Sequence, residues 1–138
     1  MPLSLPHANW PSKQAHLRVV QLVLGDSKQG EPYLVFEDSL KSGATHDEIL
    51  RDALKARGIM YATEKSRAPM FENYEIPRRT GEGYICPGMG FARIVRPQVI
   101  NFQGHSSHYA LGVNLPHLAQ IAQHEPSWSI LYNGIPLY

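Results

Sequence analysis

Residues 45–58 read THDEILRDALKARG and form the most regular segment of the chain. Thr45 and Glu48 have the spacing of a capping box, in which two side chains satisfy backbone N–H groups at a helix start. Apolar residues then recur three and four positions apart, the period of one helix face, and Gly58 is a typical helix stop. The apolar positions are Ile49, Leu50, Ala53 and Leu54. The stretch predicts an amphipathic helix that packs against other elements.

Strand-like segments flank this helix on both sides. A second helix is expected after them, because Asn114 can cap it and Pro116 falls in its first turn, where proline is tolerated. The strand-like runs are 17–24, 33–36, 84–86, 91–95, 99–102, 108–111 and 128–132. This order predicts an α+β fold: a single mixed, largely antiparallel β-sheet with two helices packed on it, in the order β-β-α-β…β-α-β.

Two further segments complete the expected domain organisation. Residues 1–16 contain three prolines and predict an extended arm, which Trp10 would anchor to the body or to a partner subunit. Residues 59–81 are interrupted by prolines and predict an irregular excursion of the kind that is often functional. Residues 17–138 would then form a single domain, consistent with domains of about 100–150 residues.

Composition narrows the class of protein. The chain has 138 residues, with 13 Lys and Arg against 12 Asp and Glu, and this balance argues against binding to nucleic acid. Cys86 is the only cysteine, which favours a reducing compartment. The start of the sequence lacks a signal-peptide pattern, and no run of about 20 apolar residues could cross a membrane. We expect a cytoplasmic protein without membrane contact and without a cofactor.

A glycine-rich stretch at 81–90 invites comparison with nucleotide-binding loops. Such loops need a strand, a glycine turn and a helix whose N-terminus faces phosphate. Here the glycines are followed by a strand-like run that ends at Pro97. A bend or bulge between strands is therefore the favoured interpretation. Cys86 is adjacent, and core packing is favoured over a role as nucleophile.

Seven histidines are many for this length, and several fall near one another in the sequence. His105 and His108 lie in one short stretch, while His117 and His124 are two helical turns apart. Three imidazoles with Glu125 could form a catalytic zinc site. No standard metal-ligand spacing is present, however, so hydrogen-bonded or surface histidines are favoured and no metal is predicted.

The same stretch also fits an anion site without a metal. Ser106 and Ser107 are small, and a glycine-flanked backbone can present N–H groups to an anion. Arg93 and Arg96 lie on the preceding strand, and arginine suits phosphate or carboxylate because its planar fork donates two parallel hydrogen bonds. His105 or His108 could then transfer protons. A serine–histidine pair formed by Ser106 or Ser107 with His108 is a further alternative.

Some of these residues suggest a known family. Arg93-Ile94, the stretch 104–109 and the later Pro126, Trp128 and Asn133 follow in an order that resembles the janus family, which includes protein-histidine phosphatases. The resemblance implies a small fold of one sheet and two helices, with a phosphate loop at 104–109. Where the family's catalytic histidine is expected, just after Arg93-Ile94, this chain has Val95 and Arg96. The resemblance therefore implies an anion pocket with His105 or His108 as a substitute acid or base.

Two functions remain open at this point. The first is binding of a phosphoanion or small acidic ligand, with phosphate hydrolysis as the candidate chemistry. The second is a non-enzymatic protein-interaction module such as an adaptor, inhibitor or immunity-type factor. The arm, the excursion and the apolar residues 135–138 would then contact a protein partner or a second copy in a homo-oligomer. An enzyme predicts converging arginines and histidines, whereas an interaction module predicts scattered charges and clustered exposed apolar groups.

Overall fold

The computed structural model describes residues 8–11, 16–25, 30–37, 45–71 and 73–137. Within these residues the elements are β1 (Leu17–Leu24), β2 (Glu31–Phe36), α1 (His46–Ala56), β3 (Thr63–Lys65), β4 (Glu75–Pro77), β5 (Thr80–Gly81), β6 (Tyr84–Arg96), β7 (Val99–Gln103), β8 (His105–Ser106), β9 (Leu111–Gly112), α2 (Leu115–His124), β10 (Ser129–Tyr132) and β11 (Ile135–Pro136). A short 3₁₀ turn, Pro69–Phe71, separates β3 from β4. The expected α+β fold is confirmed.

The main sheet has the strand order β11-β10-β7-β6-β1-β2, with β5 also paired to β6. All of its pairings are antiparallel except that between β7 and β10. The connection between these two parallel strands contains α2, as parallel strands require a crossover. The sheet is therefore mixed and largely antiparallel, as predicted. Two small hairpins lie outside it, β3 with β4 and β8 with β9.

The two helices cover opposite faces of the sheet. Neighbouring residues of β1 belong to different cores: Val19 packs in the core beneath α2, and Val20 packs in the core beneath α1. Successive strand side chains point to opposite faces, so the two cores lie on either side of the sheet. The α1 core reaches only one end of the sheet. Beyond it, Arg93 and Val95 of β6 are exposed on the α1 side.

The glycine-rich stretch is part of one long strand. β6 runs from Tyr84 to Arg96 through both Gly88 and Gly90, so no phosphate-binding turn followed by a helix is formed. Gln21 pairs with Gly88 but Val23 with Ile85, which leaves one extra residue on β6. The sequence predicted a bend or bulge between two strands, 84–86 and 91–95; the structure instead has a bulge within one continuous strand. The bulge contains Pro87, which has no N–H for the ladder.

Three local expectations need correction. The Thr45 side chain makes no capping hydrogen bond to the helix backbone. Its hydroxyl donates instead to carboxylate oxygens of Asp47 (2.5 Å) and Glu48 (3.1 Å). Residues 108–111 do not form a strand, because 107–110 make the turn of the β8–β9 hairpin. The segment 59–81 is more regular than expected, since it contains β3, β4 and β5.

The described part of the N-terminal arm lies against β2. Ala8 bridges Leu34, and the amide of Asn9 exchanges two hydrogen bonds with the backbone of Phe36. Trp10 stacks on Trp128 with ring centroids 4.3 Å apart. The expected anchoring of the arm by Trp10 to the body is confirmed, whereas residues 1–7 and 12–15 lie outside the described residues.

A buried polar network attaches α2 to β1. The side chain of Gln21 accepts from the backbone N–H of Asn114 (2.7 Å) and donates to the Asn114 carbonyl (2.8 Å). Its second N–H faces Nδ1 of His117 (3.0 Å), and Nε2 of His117 lies 2.9 Å from the carbonyl of Leu22. Because a carbonyl only accepts, Nε2 carries the imidazole proton and Nδ1 accepts from Gln21. The Asn114 side chain also caps α2, as predicted.

This network predicts loss of stability in mild acid. Burial lowers the pKa of His117 from its ordinary value of 6.5 to about 4. Between these two values the unfolded chain binds a proton that the folded protein does not, so stability falls as the pH falls below 6.5. The loss should total about 3 kcal/mol by pH 4. Urea unfolding between pH 7 and pH 4 measures it. A His117→Gln variant should show a flatter pH dependence, and an unchanged slope would contradict this assignment.

Neither helix described in the structure has the length and apolar character needed to cross a lipid bilayer.

Candidate functional site

The N-terminus of α1 presents a buried histidine. His46 is the first residue of α1, and its Nε2 lies 2.7 Å from the carbonyl oxygen of Gly90. This contact requires a proton on Nε2, so the neutral ring has its free lone pair on Nδ1. Among the described residues, none is hydrogen-bonded to that nitrogen. Burial lowers the pKa of His46, and the nearby Arg18 acts in the same direction against the Gly90 hydrogen bond. His46 is therefore held neutral with Nδ1 as a base.

The next residue, Asp47, is a fully buried carboxylate. Its oxygens accept hydrogen bonds from the hydroxyls of Thr45 and Tyr74, the latter at 3.1 Å. Arg51, one turn further along α1, lies 3.8 Å away. The charge of Asp47 raises the pKa of Tyr74, which keeps that hydroxyl protonated as a donor. These partners compensate for the removal of the carboxylate from water.

His108 connects Asp47 to the β3–β4 hairpin. Its Nε2 lies 4.0 Å from Oδ1 of Asp47, an electrostatic contact rather than a hydrogen bond. Its Nδ1 lies 2.7 Å from the hydroxyl of Ser66, and the ring of Tyr74 stacks on it at 5.4 Å. Of the serine–histidine pairs considered from the sequence, neither is the pair observed, because His108 is bonded to Ser66.

Ser106 is a buried residue of β8 that lies between Gly104 and His108 along the chain. It is 1% exposed, and its hydroxyl has no hydrogen-bond partner among the described residues. On one side of it, the carbonyls of Gln103 and Gly104 lie against Gly90, whose own carbonyl binds His46. On the other side, His108 contacts Asp47. The stretch 104–108 thus begins next to Gly90, the residue that binds His46, and ends at His108, which contacts Asp47; the unsatisfied hydroxyl of Ser106 lies between these two residues in sequence.

The two predicted arginines are placed differently. The ring of His46 packs edge-on against Phe91, with ring centroids 5.3 Å apart. The guanidinium of Arg18 lies over the Phe91 ring, 5.6 Å from its centroid. Arg93 is two residues further along β6, on the same face and about 7 Å away along the strand. Arg96 pairs with Val99, at the opposite end of β7 from the 104–108 stretch and about 16 Å from it along the strand. Arg96 therefore does not converge with Ser106.

The remaining predicted residues surround this site or lie elsewhere. Ser107 is exposed in the hairpin turn, and His105 is exposed on β8. The two ring nitrogens of His117 contact β1 residues, so this histidine does not join His105 and His108 in a metal site. No group of three or more metal-ligating side chains is found in the described part of the chain. Cys86 is buried in the α1 core, and burial raises the pKa of its thiol to about 12, which confirms core packing.

Sequence reasoning missed His46, Asp47, Ser66 and Tyr74 as site residues. The sequence did contain a signal for His46. This residue lies three, four and seven positions before Ile49, Leu50 and Ala53, which places it on the apolar face of α1. A histidine at the start of such a face is expected to be buried and to need a partner. That partner is the carbonyl of Gly90, 44 residues away along the chain, which no local pattern indicates.

Comparison with known proteins gives no further assignment: no protein-family model matches the chain, and no curated protein matches it with significance.

Proposed function

We propose that this protein binds a phosphoanion or small acidic ligand between the start of α1 and residues 104–108, and hydrolyses a phosphorylated group there. The observation that carries the proposal is the neutral His46, oriented by Gly90, beside a stretch that contains the buried, unsatisfied hydroxyl of Ser106. An unsatisfied buried hydroxyl is costly, and a ligand oxygen that hydrogen-bonds to it would remove this cost. The resemblance of residues 104–109 to a phosphate loop agrees with this proposal.

The electrostatics of this region suit an anion at close range. The free N–H groups at a helix N-terminus attract negative charge, and α1 begins at His46. Among the described backbone hydrogen bonds outside helices and strands, none uses the amide of Ser107 as a donor. Arg93 adds positive charge on the adjacent sheet face, whereas the charge of Arg18 is paired with Glu37 at 3.9 Å. Asp47 opposes anion binding, but the groups that surround its carboxylate offset part of this charge.

In this proposal His46 carries the chemistry. Its Nδ1 lone pair would attack phosphorus while the bond to the leaving oxygen breaks, and water would then hydrolyse the phosphohistidine and restore the imidazole. Amide groups of the 104–108 stretch would bind the phosphoryl oxygens as charge develops. The exposed His105 stays a candidate for protonating the leaving group.

The proposal is tested by thermal unfolding with increasing orthophosphate or pyrophosphate. A ligand at one hundred times its dissociation constant stabilises by about 2.7 kcal/mol, which raises Tm by several degrees. We expect this shift in the unaltered protein and a smaller one in a Ser106→Ala variant. Removing a hydroxyl without a partner should leave the stability of the ligand-free variant unchanged or raised. A smaller shift is thus a loss of binding and not of folding.

Two arginine variants provide a matched control with equal loss of charge. Arg93→Ala should reduce the phosphate-induced shift, whereas Arg96→Ala should retain it, because Arg96 lies at the far end of β7. If no anion stabilises the protein, or if Ser106→Ala responds as fully as the unaltered chain, the proposed site is wrong.

One observation favours the alternative of a protein-interaction module. Met60 and Met70 are 88% and 89% exposed, and Tyr74 is 41% exposed, all within residues 59–81. Flexible methionines are common on surfaces that bind other proteins. Failure of every anion to bind would make this alternative the better proposal, with residues 59–81 as the contact surface.

A further inference from the structure

The β3–β4 hairpin makes three contacts with a single residue of the proposed anion site. The backbone N–H of Arg67 donates to the carbonyl of His108 at 2.8 Å. The Ser66 hydroxyl lies 2.7 Å from Nδ1 of His108, and the Tyr74 ring stacks on the same imidazole. His108 is separated from these residues by more than thirty positions of sequence, so the contacts depend on the tertiary fold. The hairpin thus contacts both the backbone and the side chain of His108.

Ser66 is itself fixed within the hairpin. Its backbone N–H donates to the carbonyl of Tyr74 at 2.8 Å, and its hydroxyl oxygen accepts from the N–H of Ala68 at 3.1 Å. Ser66 is 6% exposed. A buried hydroxyl whose oxygen already accepts a backbone hydrogen bond is a poor nucleophile, although Ser66, His108 and Asp47 together resemble a catalytic triad in composition. The arrangement therefore suits positioning rather than covalent chemistry.

These contacts determine which nitrogen of His108 carries the proton. Nε2 faces the buried carboxylate of Asp47 at 4.0 Å, and a proton there is attracted to the carboxylate, whereas a lone pair would be repelled. With Nε2 protonated, Nδ1 of the neutral ring is an acceptor and the Ser66 hydroxyl donates to it. Ser66 and Asp47 thus favour the same tautomer from opposite sides of the ring.

The contact with Arg67 also orients the backbone. A trans peptide group is planar, with its C=O and N–H pointing in opposite directions. Because the His108 carbonyl points to Arg67, the N–H of Tyr109 points away from the hairpin. Tyr109 is held in turn by a 2.6 Å hydrogen bond from its hydroxyl to the carbonyl of Pro77, at the end of β4. The hairpin thereby fixes the end of the stretch that begins at Ser106.

We infer that Ser66 is a positioning residue for the anion site: together with Asp47 it holds His108 as the Nε2–H tautomer, and through His108 the β3–β4 hairpin holds residues 106–108 in the conformation that binds the ligand. This inference rests on the proposed function. It assigns the segment 59–81 a role in the site without direct contact with the ligand, since both ring nitrogens of His108 face protein groups.

The test combines a spectroscopic measurement with a binding measurement. Long-range ¹H–¹⁵N correlation spectra of the full chain without phosphate report the tautomer of each histidine ring, and a His108→Gln variant identifies the signals of His108. We expect the Nε2–H form in the unaltered protein and in Ser66→Thr, which retains the hydroxyl. In Ser66→Ala we expect a mixture of tautomers. The dissociation constant for orthophosphate should rise on the order of tenfold in Ser66→Ala and recover in Ser66→Thr.

Ser129→Ala, an exposed serine on β10, is the control and should change neither measurement. The inference is wrong if His108 carries its proton on Nδ1, if the tautomer is the same in Ser66→Ala, or if the tautomer changes while phosphate affinity does not. Failure of the proposed function is recognised separately. In that case the unaltered protein shows the Nε2–H tautomer but binds no phosphate, which removes the positioning role as well.

Discussion

Replacing Gly88 by alanine is expected to lower the free energy of unfolding by about 4 kcal/mol. A Cβ atom at this position would lie directly against Oε1 of Gln21 and only 2.7 Å from the backbone nitrogen of Asn114. Asn114 is the N-cap residue of α2, so its backbone has little freedom to move and the Gln21 side chain must be displaced. Its hydrogen bonds to Asn114 and His117 would then be lost in a buried environment, where unsatisfied polar groups are costly. Equilibrium unfolding in urea measures the change.

Gly112→Ala is the matched control. Gly112 belongs to β9, and a Cβ there would meet other atoms only at ordinary contact distances of 3.6 Å and more. Its stability should change by less than about 1 kcal/mol. Comparable losses in the two variants would show that close contact with the Gln21 network is not the cause of the Gly88 effect.

Replacing His46 by glutamine is expected to reduce hydrolysis of a phosphorylated model substrate on the order of a thousandfold or more. The glutamine side chain can place an N–H near the position of Nε2 and retain the hydrogen bond to Gly90, but it has no equivalent of the Nδ1 lone pair. The loss should therefore appear in kcat, while the dissociation constant for orthophosphate changes little. Release of nitrophenol from para-nitrophenyl phosphate measures kcat, and thermal unfolding with increasing orthophosphate measures the dissociation constant.

Two observations separate catalysis from folding in this experiment. His124→Gln, an exposed histidine on α2, should retain full activity, and His46→Gln should unfold at nearly the same urea concentration as the unaltered protein. Activity should also fall with pH only below about 6.5, because burial lowers the pKa of His46 and protonation removes its lone pair. Retention of activity by His46→Gln would contradict the assignment of His46 as the reacting group.

Several elements were predictable because their information is local. The apolar positions of α1 and the stop at Gly58 repeat with the helical period, and the structure has a helix from His46 to Ala56. The Asn114 cap of α2 was predictable for the same reason. The turn at 107–110 was not, because Tyr109 is buried by contacts with α1 and β4 rather than by strand pairing. Alternating residues in a short run do not distinguish these two environments.

The candidate site was predictable in part. Ser106, Ser107 and His108 were identified from composition and spacing, and the structure places His108 4.0 Å from Asp47 at the start of α1. Arg96 was included because it lies near Arg93 in the sequence, but the antiparallel turn from β6 to β7 places it at the other end of the strand. Ser66 could not be found at all, since a serine in an irregular stretch has no distinguishing pattern. Its role depends on contacts with His108, 42 residues away.

By itself the sequence determined the α+β class, the presence of the two helices, an irregularity within 81–90 and the burial of Cys86. Each of these follows from hydrophobic period, backbone restrictions or size, which act over a few residues. Only the tertiary structure decided that His46 bonds to Gly90, that Asp47 is buried beside His108, and that Ser66 holds the ring of His108. These contacts join residues that lie far apart in the chain, and their geometry depends on strand register and on the face of the sheet that α1 covers.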